Sequence, residues 1–366
     1  MAKPRKKNAT PTIGERFRSL LWLANLLVVL ATLVAYLSPH INPQNAWPIY
    51  FLTLGFPLLV IANLIFVMLW GILFQKQALL SLITLVLGLP FLTSFVGLGT
   101  KELESSEDKL RIMSYNIGSL SLTRGKSGDE RHRIILQYAD LIASGNPDVF
   151  CVQELSTHET AGPYYQKWFS RRISLPHVYH IPGSGPMIFS KRPFLNKGRL
   201  DWNVSGNACL FVDVALEGGP VRIYNCHLQS NRITDDAVDV IAGSGTWGKF
   251  RRIASQLRRS ASRRADQAIS LASHIASCPH PVIVCGDFND SPLSFTYKTV
   301  KNDYLIDAFQ EKGEGLGTTY AGVIPGLKID HFLADPRINI LSHRISRETL
   351  SDHYPLITDI TLNPNP

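Results

Sequence analysis

The sequence predicts an α/β protein: packed β-sheets with helices outside, preceded by three transmembrane helices. Three observations carry this reading. The first hundred residues hold three long uncharged apolar runs, at 20–37, 49–74 and 78–98. From Leu110 onward the pattern changes to short apolar segments bounded by turn residues. Those strand-like segments outnumber the amphipathic stretches, so a purely doubly wound parallel sheet fits less well than packed sheets.

The membrane half comes first in the chain. Each apolar run is near or above the roughly 18–20 residues that cross a hydrocarbon core of about 30 Å. A soluble helix of that length needs a polar face, and none of the three shows one. A signal peptide explains the first run less well, because it is long for one and two further runs follow. The runs hold no Asp, Glu, Lys, Arg or His, which speaks for a plain anchor rather than an ion pathway. Lys3, Arg5, Lys6, Lys7, Arg16 and Arg18 precede the first run, Lys76 lies between the second and third, and Glu15 is the one acidic residue up to position 100. Basic short flanks belong on the cytoplasmic side. The expected topology is therefore multi-pass, with the N-terminus cytoplasmic and the soluble half extracytoplasmic, as in a bacterial inner membrane facing the periplasm. The expected units are a basic tail over 1–19, the anchor over 20–100, a linker over 101–109 and a soluble α/β domain over 110–362.

The formal net charge of +8 and the pI near 9.2 are largely a property of those flanks. The remainder of the chain holds 30 basic and 28 acidic residues, so charge alone gives no nucleic-acid signal. Cys151, Cys209, Cys226, Cys278 and Cys285 fit neither a zinc pattern nor a disulfide framework, and read as buried small apolar groups.

In the soluble half the strand candidates are 110–116, 148–153, 186–190, 208–215, 221–227, 281–286, 329–334 and 355–361. The helix candidates are 129–144, 160–171, 250–276 and a short one near 294–300. No internal repeat appears.

Polar groups suited to metal or acid–base chemistry recur at the strand ends. Asn116 closes LRIMSYN, Glu154 follows VFCVQ, and His227 closes VRIYNCH. Asp287, Asn289 and Asp290 follow PVIVCG, Asp330 and His331 open a further strand, and Asp352 and His353 precede YPLITDI. Hard cations such as Mg²⁺ take oxygen ligands, and these carboxylates and amides supply them. A histidine beside a carboxylate suits phosphoryl stabilisation. Singly, an Asp or Asn after a strand is usually a turn former; the set as a whole makes the case.

SYN, QE, NCHL, GDFN, ID and SDH occur in the order and at the separations of the endonuclease/exonuclease/phosphatase superfamily, which the chain resembles over roughly 110–362. The resemblance implies a four-layered α/β sandwich, two mainly antiparallel sheets flanked by helices, with a site at one end of the sheets. It implies Mg²⁺ (or Mn²⁺) as cofactor, with Asn116, Glu154 and Asp352 on the metal side. It gives His227 the phosphate, Asp287 and Asn289 the attacking water, and Asp330 the task of holding His353, the terminal catalytic histidine. The segment PMIFSKRPF departs from relatives in its first half, and no acidic partner for His227 is assignable.

Residues 249–264 hold Lys249, Arg251, Arg252, Arg258, Arg259, Arg263 and Arg264, with Ile253, Leu257, Ala261, Ala265 and Ile269 at helical spacing. This reads as an amphipathic helix, apolar side to the core and basic side to solvent or to an anionic surface. The expected function is a metal-dependent phosphoester hydrolase acting at the lipid bilayer on head groups or another envelope phosphoester. HLQS is more like the sphingomyelinase branch. An extracytoplasmic nuclease is the alternative, and a non-catalytic module on the same fold fits least. No protein partner is called for.

Overall fold

Period-two alternation builds the sheets, because successive side chains of a strand point to opposite faces. The computed structural model of the protein describes residues 12–99, 109–155, 169–182, 185–200, 202, 207–231, 243, 246–322 and 326–362. In the soluble half the strands are β2 (Leu110–Asn116), β3 (Val149–Gln153), β4 (His177–His180), β5 (Met187–Ser190), β6 (Phe194–Leu200), β7 (Ala208–Leu216) and β8 (Gly219–His227). They continue with β9 (Val282–Asp287), β10 (Ile306–Asp307), β11 (Glu314–Leu316), β12 (Asp330–Ala334), β13 (Ile338–Ile345) and β14 (Leu356–Leu362). One six-stranded sheet has the order β13-β14-β2-β3-β5-β4, the other β10-β12-β9-β8-β7-β6. Both are mixed. β2 with β3 and β8 with β9 are parallel, and every other pairing in the two sheets is antiparallel.

Both faces of each sheet are covered. In β7, Leu210, Val212 and Val214 point into the core between the sheets, while Cys209 and Phe211 face outward. Helix α6 (Gly128–Ser144) covers the outside of the first sheet through Ile135, Tyr138, Ala139 and Ile142. Helix α7 (Trp247–Ala276) covers the second through Ala268, Leu271 and Ile275, together with α8 (Phe295–Lys301). Ser127, Thr246 and Ser294 cap these three helices, each side chain accepting a first-turn backbone N–H. The helix expected over 160–171 lies largely outside the described residues. A buried amide pair links the two sheets. Gln153 donates to Asn225 at 2.6 Å, and Asn225 donates to the carbonyls of Val152 and Met187.

Near one edge of the second sheet a charge pair is sealed in the interior. Asp307 accepts from Lys328 at 3.1 Å and from Tyr297 at 2.6 Å, and its other oxygen accepts the Phe309 N–H at 2.8 Å. Burial pushes the Asp307 carboxyl up, but Lys328 outweighs it and holds the group down at about 2. Asp307→Asn is expected to cost roughly 3 kcal/mol in chemical denaturation, since it leaves the Lys328 charge buried without its partner. A carboxylate with a depressed folded pKa stabilises above its unfolded value and loses that contribution as pH falls through the folded one. The deficit of the variant is therefore full at neutral pH and shrinks between about pH 4 and about pH 2.

The N-terminal half corrects the expectation of three uninterrupted spans. Among the described residues one helix, Ile13–His40, is long and apolar enough to cross a membrane, and its regular α-helical part is α1 (Ile13–Ala35). A capping box between Thr12 and Glu15 starts it, inside the stretch expected to be a tail. The second run breaks into α2 (Pro48–Leu54) and α3 (Phe56–Ile72), bent by 68° at Gly55 ahead of Pro57. The third run yields α4 (Ala78–Leu87), about 15 Å long at 1.5 Å per residue, and α5 (Leu89–Leu92) after Gly88. It ends in a strand, β1 (Val96–Leu98), which pairs antiparallel with β11 of the soluble half. Gly and Pro inside the apolar runs end the helices, so uniform hydropathy does not produce uniform helix. The linker over 101–108 lies outside the described residues.

Helices α1, α3 and α4 pack with their polar groups inward. Asn25 donates to Ser81 at 2.6 Å, Trp70 donates to Asn25 at 2.9 Å, and Asn63 donates to Thr32 at 2.9 Å. Leu23, Leu27, Leu58, Ile65, Met68, Leu82 and Ile83 are exposed on the outside.

Candidate active site

Strand register brings the site together. On the second sheet His227 lies beside Asp287 in the parallel pair, and Asp287 lies opposite Asp330 in the antiparallel one. On the first sheet Asn116 is in register with Gln153, so Glu154 emerges next to it. The sheets meet where Asn116 donates to Asp287 at 2.9 Å. Asn116 also donates to Glu154 at 3.3 Å.

Local backbone aims these groups. Glu154 and Asn289 both adopt positive φ, at 60° and 53°, a region that costs a non-glycine residue about 1–3 kcal/mol unless its surroundings enforce it. Gly286, at φ 128°, has no alternative: a Cβ there would stand 2.1 Å from the Cys226 carbonyl oxygen. The glycine of GDFN is thus the close approach of β9 to β8, and it sets where Asp287 lands. Asp287 then accepts the Asn289 backbone N–H at 2.7 Å and its side-chain amide at 3.0 Å. In SDH, Ser351 donates to the Asn116 carbonyl at 2.6 Å and accepts the His353 N–H at 2.9 Å, which ties the last motif to the first.

His353 and Asp330 form a buried pair, Nδ1 to carboxylate at 2.9 Å. Burial disfavours the imidazolium, but the carboxylates of Asp330 and Asp287 outweigh it and lift His353 to about 10. Its Nε2 faces Asp287 at 3.9 Å. His227 Nε2 stands 3.6 Å from Glu154 and 3.8 Å from Asp287. These are the acidic groups beside His227 that the sequence left unassigned. Burial, aided by Asp330 and opposed by His353, raises Asp287 to about 6. Burial also acts to raise Glu154, but His227 and the hydrogen bonds from Ser119 and Asn116 outweigh it and hold the carboxyl below its ordinary value.

Glu154, Asp287, Asn289, Asp352 and His353 line one cavity of about 190 Å³. All eight residues expected at the site are therefore in or directly around it. Asp352 stands exposed at the rim, apart from the cluster of Asp287, Asp330 and His353, whose ligand-type atoms lie within 4.8 Å of one another. His331 is not part of the chemistry: burial pulls it down to about 4, and its Nε2 meets the Asp290 carbonyl at 2.9 Å. The oxygen donors of Asn116, Glu154, Asp287 and Asp352 fit a hard divalent cation, and nothing in the set suits a soft metal.

Sequence reasoning missed Asn225, Tyr320 and Arg264. Asn225 was visible as a polar residue between Tyr224 and Cys226 in VRIYNCH. Tyr320 bridges the backbone of His353 and sets its ring edge-on at 5.4 Å. Arg264, expected on the outer basic face of α7, is fully buried.

A profile described as the Endonuclease/Exonuclease/phosphatase family matches residues 113–353. A second, described as a domain of unknown function, matches residues 18–95. Curated proteins give no match. Among solved structures, a humanized D. rerio TDP2 is 17% identical with a TM-score of 0.50, over 69% of this chain and 99% of that one. A mannosyl-6-phosphatase of Bacteroides thetaiotaomicron VPI-5482 is 16% identical with a TM-score of 0.49, over 69% and 100%. The human Nocturnin catalytic domain is 18% identical with a TM-score of 0.47, over 70% and 95%. At 17% identity the likeness to the TDP2 structure is one of fold.

Proposed function

The chain belongs to the endonuclease/exonuclease/phosphatase family of phosphoester hydrolases, and from that premise we propose that it is a divalent-metal-dependent phosphodiesterase or phosphatase that works at a bilayer on lipid head groups or another envelope phosphoester. The observation that carries the chemistry is the convergence of Asn116, Glu154, His227, Asp287, Asn289 and the Asp330–His353 pair on one end of two sheets.

The roles follow from charge and position. Glu154, with Asn116 and with Asp352 on the rim, would hold Mg²⁺ or Mn²⁺. When bound, the cation supplies charge neutralisation at a phosphate oxygen. Asp287 and Asn289, locked to each other, orient the attacking water. His353, kept positive by Asp330, faces the cavity, and His227 lies beside Glu154 and Asp287; both stabilise the negative charge that grows on the phosphoryl oxygens. These groups are fixed before substrate arrives, so little reorganisation is needed during reaction.

The N-terminal half supports the bilayer reading. Its polar groups are paired inside and its apolar ones face outward, the reverse of a water-soluble bundle and the pattern of helices packed in lipid. Arg18 bonds Gln75 at the end away from β1 and the soluble half, which groups the basic flanks and is consistent with a cytoplasmic N-terminus. A nuclease is the second reading. Arg251, Arg252, Arg259 and Arg263 are exposed along α7 and suit a phosphate track as well as anionic head groups.

The deciding assay uses the full chain in lipid nanodiscs with MgCl₂. It compares sphingomyelin and glycerophospholipid vesicles with single- and double-stranded DNA. Release of phosphorylated head group that stops with EDTA is the expected result. Cleavage of DNA with no lipid turnover replaces it with the nuclease.

A further inference from the structure

The short helix α2 belongs to the apolar N-terminal half, yet it packs against both loops that carry the catalytic residues. Tyr50, on α2, is buried against α7 with Leu257 and Ala261. Its hydroxyl is bonded by Arg264, whose guanidinium lies 5.2 Å from the Tyr50 ring centroid. Arg264 is fully buried, and its remaining donors reach the catalytic loops. Nη1 donates to the Gln229 carbonyl at 2.7 Å, two residues beyond His227, and Nε donates to Asp290 at 3.2 Å, one residue beyond Asn289. The Tyr50 hydroxyl also pairs with Asn231, which donates to the Asn289 carbonyl at 3.3 Å. Four residues further along α2, Leu54 reaches the catalytic cavity and faces it beside Leu327 and Ile329.

A fully buried arginine is tolerated only with its donors matched and a counter-charge at hand. Asp290 supplies the charge and the loop carbonyl a second acceptor. Tyr50 supplies an acceptor that the soluble half does not. The basic sequence of α7 gives no warning of this, because Arg264 reads there as one more outward cation.

We propose that α2 is a working part of the active site: Tyr50 is a positioning residue that fixes the loops at 227–231 and 287–290 through Arg264 and Asn231, and Leu54 forms the apolar wall beside the phosphoryl site. The N-terminal half then does more than tether the enzyme. Turnover depends on α2 being docked, and the wall favours phosphoesters that carry an apolar group next to the phosphate. The specificity part rests on the hydrolase reading above; the coupling part does not.

Two measurements on the full chain in nanodiscs test this. The first is hydrogen exchange of the backbone amides at 229–231 and 289–291. Tyr50→Phe keeps the ring and removes the hydroxyl, and is expected to speed exchange there by about tenfold while exchange in β3 and β7 stays the same. Unchanged exchange in the two loops overturns the coupling, whether or not the protein turns over any substrate. The second is hydrolysis of bis(4-nitrophenyl) phosphate and of sphingomyelin vesicles. Tyr50→Phe is expected to lower kcat on both by about tenfold with KM changed by less than about twofold, the signature of misplaced catalytic groups rather than lost binding. Leu54→Ala is expected to lower kcat/KM for sphingomyelin by about tenfold relative to glycerophosphocholine, a phosphodiester with no apolar group beside the phosphate. Equal effects of Leu54→Ala on sphingomyelin and glycerophosphocholine overturn the wall. If the unaltered chain hydrolyses neither substrate, the lipid reading and the wall fail together, while the exchange result still decides the coupling.

Discussion

His353→Ala is expected to lower kcat on bis(4-nitrophenyl) phosphate by roughly 10³-fold, with secondary structure unchanged by circular dichroism. The size of the effect follows from the environment of the ring. His353 is buried, its Nδ1 is bound to Asp330 at 2.9 Å, and the carboxylates of Asp330 and Asp287 lift it to about 10 against the pull of burial. The paired carboxylates thus favour the positively charged form of the ring facing the cavity. A low-dielectric site magnifies such a charge where a phosphoryl group becomes more negative. Retention of more than about a tenth of the activity would remove His353 from the chemistry and leave the pair with Asp330 a structural one.

Glu154→Gln should act differently. It preserves shape and removes one negative charge at the point where Asn116, Ser119 and His227 converge. The expected loss in kcat/KM is roughly 10²-fold, and the Mg²⁺ concentration for half-maximal activity should rise by at least about tenfold. Calorimetric titration of the protein with MgCl₂ reads the same change without turnover. A variant that binds Mg²⁺ as the parent does, yet is slow, would assign Glu154 to the phosphoryl group and move the cation toward Asp287 and Asp352. The backbone at Glu154, held at φ 60°, makes this site sensitive. Other side chains at that position face the same strain without the hydrogen bonds that offset it.

The catalytic half was legible because its information is local. Near-continuous apolar runs in LRIMSYN, ACLFVDVA and PVIVCG mark strands with both faces buried, and the structure places those strands within a residue or two of expectation. Strands β4, β6 and β13 were passed over. HVYH, FLNKGRL and INILSHRI carry polar and charged residues because β4, β6 and β13 lie at sheet edges, where one side is unpaired. The helix expected over 129–144 forms over Gly128–Ser144, capped by Ser127 and with one apolar face turned to the core.

The anchor was misread in form because hydropathy reports what surrounds a segment and not its shape. Gly55 with Pro57, and Gly88 with Pro90, are by composition alone tolerable inside membrane spans. The structure uses them as breaks, so that α2 turns onto the soluble half and β1 joins β11. Past the second break the chain finds a partner outside the apolar half: the backbone of 313–317 pairs with Phe95, with β1 and with Gly99.

By itself the sequence determined the family, the eight residues around the cavity and the two-sheet architecture, because strand periodicity and the order of short motifs are properties of the chain. Tertiary structure alone decided which of those residues touch. Asn116 meets Asp287 across two sheets, Glu154 and Asp287 become the acidic neighbours of His227, and Arg264 leaves the basic face of its helix for the interior. The reason is one of distance along the chain. A charge pattern on a helix fixes only its neighbours three or four positions away, whereas the fate of Arg264 was set by Tyr50, 214 residues earlier, and by Asp290, 26 residues later.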